Sequence, residues 1–107
     1  MKLIIAIVSN DDALAVQSGL VGEGYKVTRL TTAGGFLQAG NTTFLCGTES
    51  EKVDRALEII AERSSERTQK MPGAPSFGVG MYPGFPVEVP VGGATVFVVD
   101  VERYEKL

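Results

Sequence analysis

The residues best suited to chemistry in this chain sit in one stretch, TTAGGFLQAGNTTFLCG, from Thr31 to Gly47. Gly34 and Gly35 can take positive φ, letting a ligand come close to the backbone and letting N–H groups meet a phosphate. Phe36 offers an aromatic face on which a purine base could stack. Asn41 presents a donor and an acceptor side by side, suited to a base edge. Just upstream, Thr28 could give a hydroxyl to a phosphate or ribose, with Lys26 or Arg29 supplying positive charge. The competing reading is a plain hairpin whose Phe36 folds back into its own core; composition alone favours the hairpin. A tight hairpin, however, needs only two turn residues.

Other chemistries find little support. The chain has no histidine, so the commonest general base and metal ligand are absent. No phosphate-loop, nucleophile-elbow or dinucleotide-binding glycine motif occurs. Carboxylates concentrate at helix starts and on a helix face from Glu49 to Glu66, the pattern of a solvated surface. Cys46, the one cysteine, lies inside an apolar run and reads as a buried structural thiol, which fits a reducing compartment. Neither an enzyme nor a bound metal or cofactor is expected. A net charge of −3 gives no long-range attraction to nucleic acid or to an anionic membrane, though a local patch could hold a small anion. The opening MKLIIAIVSNDD is too short in its apolar part for a signal peptide or a membrane span, and the cytoplasm is the expected location.

The elements that must position these residues follow from periodicity. With 44% apolar and 21% charged residues, 107 residues make one soluble domain, 1–107, with a small core. KLIIAIV is a strand, and SNDD opens a helix with Ser9 or Asn10 as cap. Ala13, Val16 and Leu20 fall at helical spacing before GEG ends the helix. YKVTRLTT and NTTFLCG are the second and third strands. TESE, Thr48 to Glu51, has the form of a capping box before a helix striped with Val53, Ala56, Leu57 and Ile60 and closed by Arg63. ATVFVVDV is the last strand. The order β-α-β-β-α-β is the ferredoxin-like arrangement, an α+β fold. Between the second helix and the last strand, a long irregular loop at about 68–86 holds four prolines and four glycines, with short edge strands expected at RTQKM and PVEVPV. A lone domain of this type exposes one sheet face, which should read polar. LIIAIV, TFLC and TVFVV are apolar on both faces, so the second face is expected to be buried in an oligomer.

VTRLTTAGGFLQAGNTTFLCGTE, together with MKLIIAIV at the start and PVEVPVGGATVFVVDVE near the end, resembles the PII-like cyclic di-AMP receptor family of bacteria. The resemblance spans nearly the whole chain in order. It implies a ferredoxin-like homotrimer that binds cyclic di-AMP in clefts between subunits and is not an enzyme. Residues 32–40 and 68–86 would rearrange on binding and signal to a protein partner that the sequence does not identify. It also implies ligand contacts at Lys26, Thr28, Gly35, Phe36, Leu37, Asn41 and Gly47, with Phe97 near the pocket. Three positions depart from the family pattern: Gly24 stands where members tend to carry Asn, Lys26 replaces Arg, and Lys106 replaces a near-terminal Gln. Lysine keeps the charge of arginine but not its bidentate fork, and it has no acceptor with which to copy a Gln–adenine pair. The alternatives are a sensor of another adenine nucleotide or a ligand-independent trimeric interaction module.

Overall fold

A computed structural model describes residues 1–30, 40–65, 67–71 and 87–107, with the backbone alone described at 67–71 and 87–91. The first strand, β1 (Lys2–Ser9), is the run KLIIAIVS. It pairs antiparallel with two neighbours, so it is interior to the sheet, where a continuous apolar run belongs. Ser9 then caps α1 (Asn10–Gly22), its hydroxyl accepting from the Asp11 N–H at 3.3 Å, and Asp11 and Asp12 occupy the first turn, where carboxylates complement the helix dipole. The helix ends where GEG was expected to end it, with Gly24 at φ 89°.

The second strand, β2 (Thr28–Leu30), is shorter than the expected YKVTRLTT. Tyr25 is drawn out of the strand into the core, and its hydroxyl donates to the Lys52 carbonyl at 2.7 Å. Thr31 and Thr32 lie outside the described residues. β3 (Asn41–Thr48) pairs with both β1 and β2.

The capping box is not formed. Thr48 is the buried last residue of β3, opposite Lys2, so its side chain belongs to the sheet. A single 3₁₀ turn, Ser50–Lys52, leads into α2 (Val53–Ser64) without a side-chain cap. The apolar stripe is as expected: Val53, Ala56 and Ile60 are buried, with Ile59, and Leu57 is partly so. Ser64, not Arg63, ends the helix, its hydroxyl donating to the Ile60 carbonyl.

β4 (Arg67–Met71) and β5 (Val87–Val91) form where RTQKM and PVEVPV suggested strands, but they pair with each other in a separate two-stranded sheet. Positions 68–71 are therefore strand, and 72–86 lie outside the described residues. β6 (Ala94–Asp100) returns beside β1. The main sheet is thus four antiparallel strands in the order β2-β3-β1-β6 with two helices, an α+β architecture consistent with the ferredoxin-like arrangement.

The helices cover one face. Ile4, Ala6 and Val8 of β1 and Phe44 and Cys46 of β3 pack with Val16, Leu20, Ala56, Ile59 and Ile60 in one buried cluster. The helices meet closely at Gly19, where a Cβ would lie 2.8 Å from Ile59 Cγ2. Only a residue without a side chain fits there.

Candidate functional site

Since Ile4, Ala6 and Val8 face the helices, strand alternation turns Leu3, Ile5 and Ile7 to the other side. Register carries that assignment across the sheet. Ile5 is opposite both Leu45 and Phe97, and Leu45 is opposite Thr28, so these four residues form one row on the open face. A second row runs Gly47, Leu3, Val99. The open face is therefore largely apolar, and Phe97 and Val99 remain 46% and 43% exposed.

At the Gly47 end of this face lies a cleft of ≈ 510 Å³. Leu3, Leu45 and Gly47 form its floor, Thr28 and Lys26 one side, and Met1, Val101 and Tyr104 the other. Gly47 keeps it open: a Cβ there would have only Met1 Sδ near it, at 3.9 Å, so a side chain would project into the space. A cleft with an apolar floor, the hydroxyls of Thr28 and Tyr104 and the Lys26 ammonium suits a flat organic group attached to an anion.

A second hollow, ≈ 400 Å³, shares Met1, Lys26 and Gly47 with the first and adds Gly24, Tyr25 and several charged residues. Its wall is fixed by Arg55, which donates through Nε and Nη2 to the Glu23 carboxylate at 2.9 and 2.6 Å and through Nη1 to Glu58 at 3.0 Å. The guanidinium hydrogen bond holds the Glu23 carboxyl below the usual carboxylate range, and the same bond pushes Arg55 further up. With Tyr25 anchored to the Lys52 carbonyl, the link that carries Lys26 toward the clefts is tied down at two points just before it.

Of the residues singled out in the sequence, Lys26, Thr28 and Gly47 come together in this cleft. Phe97 shares a row with Thr28 but lies three strands away, about 14 Å at the usual strand spacing. Asn41 is at the opposite end of β3 from Gly47, about 20 Å along the strand. There Asn10 N–H donates to the Gly40 carbonyl at 2.8 Å, and the Thr42 hydroxyl donates to the Asn10 side chain at 2.5 Å. Gly35, Phe36 and Leu37 lie outside the described residues. Leu3, Leu45, Val101 and Tyr104 were not singled out; alternation along β1 and β3 would have placed the first two on the face of Gly47. Among the described residues no group of three or more His, Cys, Asp or Glu side chains could hold a metal, and no helix is long and apolar enough to cross a membrane.

The fold and cleft define a small α+β protein with a cleft on the side of its sheet opposite the helices. A family model described as the cyclic-di-AMP receptor matches residues 1–107, and the chain belongs to that family. A crystal structure of a protein of unknown function from Pediococcus pentosaceus is similar throughout, with 42% identity and a TM-score of 0.76 over 99% of this chain and 96% of that one.

Proposed function

We propose that this protein is a non-enzymatic signalling receptor that binds cyclic di-AMP, with the cleft at Lys26, Thr28 and Gly47 as part of the binding site. The observation that carries the reading is the coincidence of a whole-chain match to the receptor family with a cleft gathering those three residues. Lys26 meets a phosphate as a point charge and Thr28 adds a hydroxyl, while the apolar floor receives a base. Asn41 is too far from this cleft in one protomer to share its occupant, which supports a site completed by a neighbouring subunit. The neighbour is a second copy: the apolar rows through Ile5 and Leu3 stay partly exposed in the protomer, and covering the exposed remainder of each such side chain is worth about 1 kcal/mol. Closed homo-oligomers are the common solution, and a trimer is the one the family resemblance implies. Relay to a partner protein through residues 32–40 and 68–86 completes the proposal.

The test is thermal unfolding and calorimetric titration with cyclic di-AMP, cyclic di-GMP, ATP and AMP at equal excess. Cyclic di-AMP at 100 times its Kd should add about 2.7 kcal/mol per site, several degrees for a domain of this size. A shift with ATP or AMP alone would replace cyclic di-AMP by another adenine nucleotide, the reading that Gly24, Lys26 and Lys106 favour. No shift with any of them would leave an interaction module.

A further inference from the structure

We infer that Tyr104 is a ligand-contact residue whose ring is the platform for one purine of the bound nucleotide; this rests on reading the cleft as the nucleotide site. Tyr104 takes no part in the buried core and is 65% exposed, yet it lines the cleft together with Lys26 and Thr28. The chain is anchored just before it. The Val101 N–H donates to the Met1 carbonyl at 3.2 Å, and Lys2 pairs with Asp100, so the segment after β6 is tied to the start of β1 at the cleft's edge. Across from it, Gly47 presents no side chain, leaving open floor between Leu45, Leu3 and the ring.

Chemically, the cleft then holds what a purine nucleotide needs and little else. The tyrosine face and aliphatic floor take the base, and the Lys26 ammonium takes the phosphate. Stacking on a tyrosine ring is tolerant of base identity, so Tyr104 supplies affinity and leaves base selection to polar groups elsewhere. A cyclic dinucleotide carries two bases, and Tyr104 gives a platform for one of them.

The experiment is calorimetric titration of cyclic di-AMP into wild type and the variants Tyr104→Phe, Tyr104→Leu and Tyr104→Ala. The phenylalanine variant should bind within about twofold of wild type, while the leucine and alanine variants should bind about 5- to 150-fold more weakly. All four unliganded proteins should unfold at nearly the same temperature, because an exposed ring is being removed. The chain has no tryptophan, so emission excited at 280 nm is tyrosine's; saturation should quench it in wild type and quench it less in Tyr104→Leu. Wild-type affinity in Tyr104→Ala overturns the inference, as does a phenylalanine variant as weak as alanine, which would make the hydroxyl the contact. If wild type binds AMP or ATP but not cyclic di-AMP, the cyclic di-AMP reading fails while the same ordering of variants with that nucleotide supports Tyr104. A wild type that binds no purine nucleotide overturns both.

Discussion

On the helix side of the central strand, Ile4, Ala6 and Val8 are at most 1% exposed; on the other side Ile7 is 8% exposed, Leu3 and Ile5 are half-buried, and Phe97 and Val99 beside them keep 46% and 43% of their surface. The residue types are the same on both sides. What differs among the described residues is the cover: α1 and α2 lie over one face, and neither helix lies over the row through Leu3 and Ile5 on the other. Folding of the protomer therefore depends on the helix side. The open side has apolar surface to spend on a ligand and on a second copy of the chain, and mutations should divide along the same line.

The largest effect belongs to Phe44, at 1% exposure among the largest fully buried side chains. Phe44→Ala should cost about 3–5 kcal/mol, a large share of the roughly 5–15 kcal/mol that holds a domain together. Urea unfolding reads this directly, and a loss below about 1 kcal/mol would mean that the helix side is not the seat of stability. Next comes Gly19→Val, still on the helix side. Its Cβ would meet Ile59 Cγ2 at 2.8 Å, and pushing the helices apart should cost about 1–3 kcal/mol. Unchanged stability there would show that the α1–α2 contact can give.

Val99→Lys carries the comparison to the open side. Measured where protomers are separate, its cost should be no more than about 1 kcal/mol, from strand preference alone. Its effect should fall on assembly: sedimentation should show a trimer for wild type and a smaller species for the variant. A variant that remains trimeric would move the subunit interface away from the Leu3–Val99 row.

How much of this is legible in the sequence depends on whether a residue's surroundings are local. β1 and β6 read correctly because a run apolar at every position has few other places to be. The α2 stripe reads correctly because helical spacing is a local rule. Thr48 misleads for the converse reason: a hydroxyl three residues before Glu51 looks like a cap, but its ladder partner Lys2 is far away in sequence and claims it for β3. Tyr25 misleads likewise, since the Lys52 carbonyl that draws it inward is distant. In the cleft, Thr28 and Gly47 are found from the motif, whereas Tyr104 has no local signal at all. It reaches the cleft because the pairing of β6 with β1, continued by the Val101–Met1 hydrogen bond, sets the chain's two ends side by side. Gly35, Phe36 and Leu37, the centre of the motif, lie outside the described residues, so the geometry of the cleft rests on its flanks.

The smallest expected effect is on pH dependence, and it too separates a covered region from open ones. Desolvation by burial pushes the Cys46 thiol up, and it pushes the Tyr25 phenol up as well. Both groups belong to the helix-side core. For each, the folded protein holds the proton more tightly than the unfolded chain. The stability so contributed is complete below the unfolded pKa, begins to fall at about pH 8.5 for the thiol, and is lost as pH rises through the raised folded value. At the exposed carboxylates the sign reverses. Arg55's hydrogen bond lowers Glu23, and Lys2's hydrogen bond lowers Asp100, so their contribution is present above the ordinary carboxylate range and disappears as pH falls through the depressed values. Salt should weaken this acid limb, because both pairs face water, and should leave the alkaline limb unchanged, because burial is not screened. Denaturant midpoints from pH 3 to pH 10.5 at low and high salt check both limbs. Cys46→Ala should lower the whole curve yet flatten its alkaline limb. Below about pH 9.5, where the phenol is still mostly protonated, an alkaline limb equally steep in that variant would trace the decline to groups outside the core, and the contrast between the two faces would then hold for packing but not for protonation.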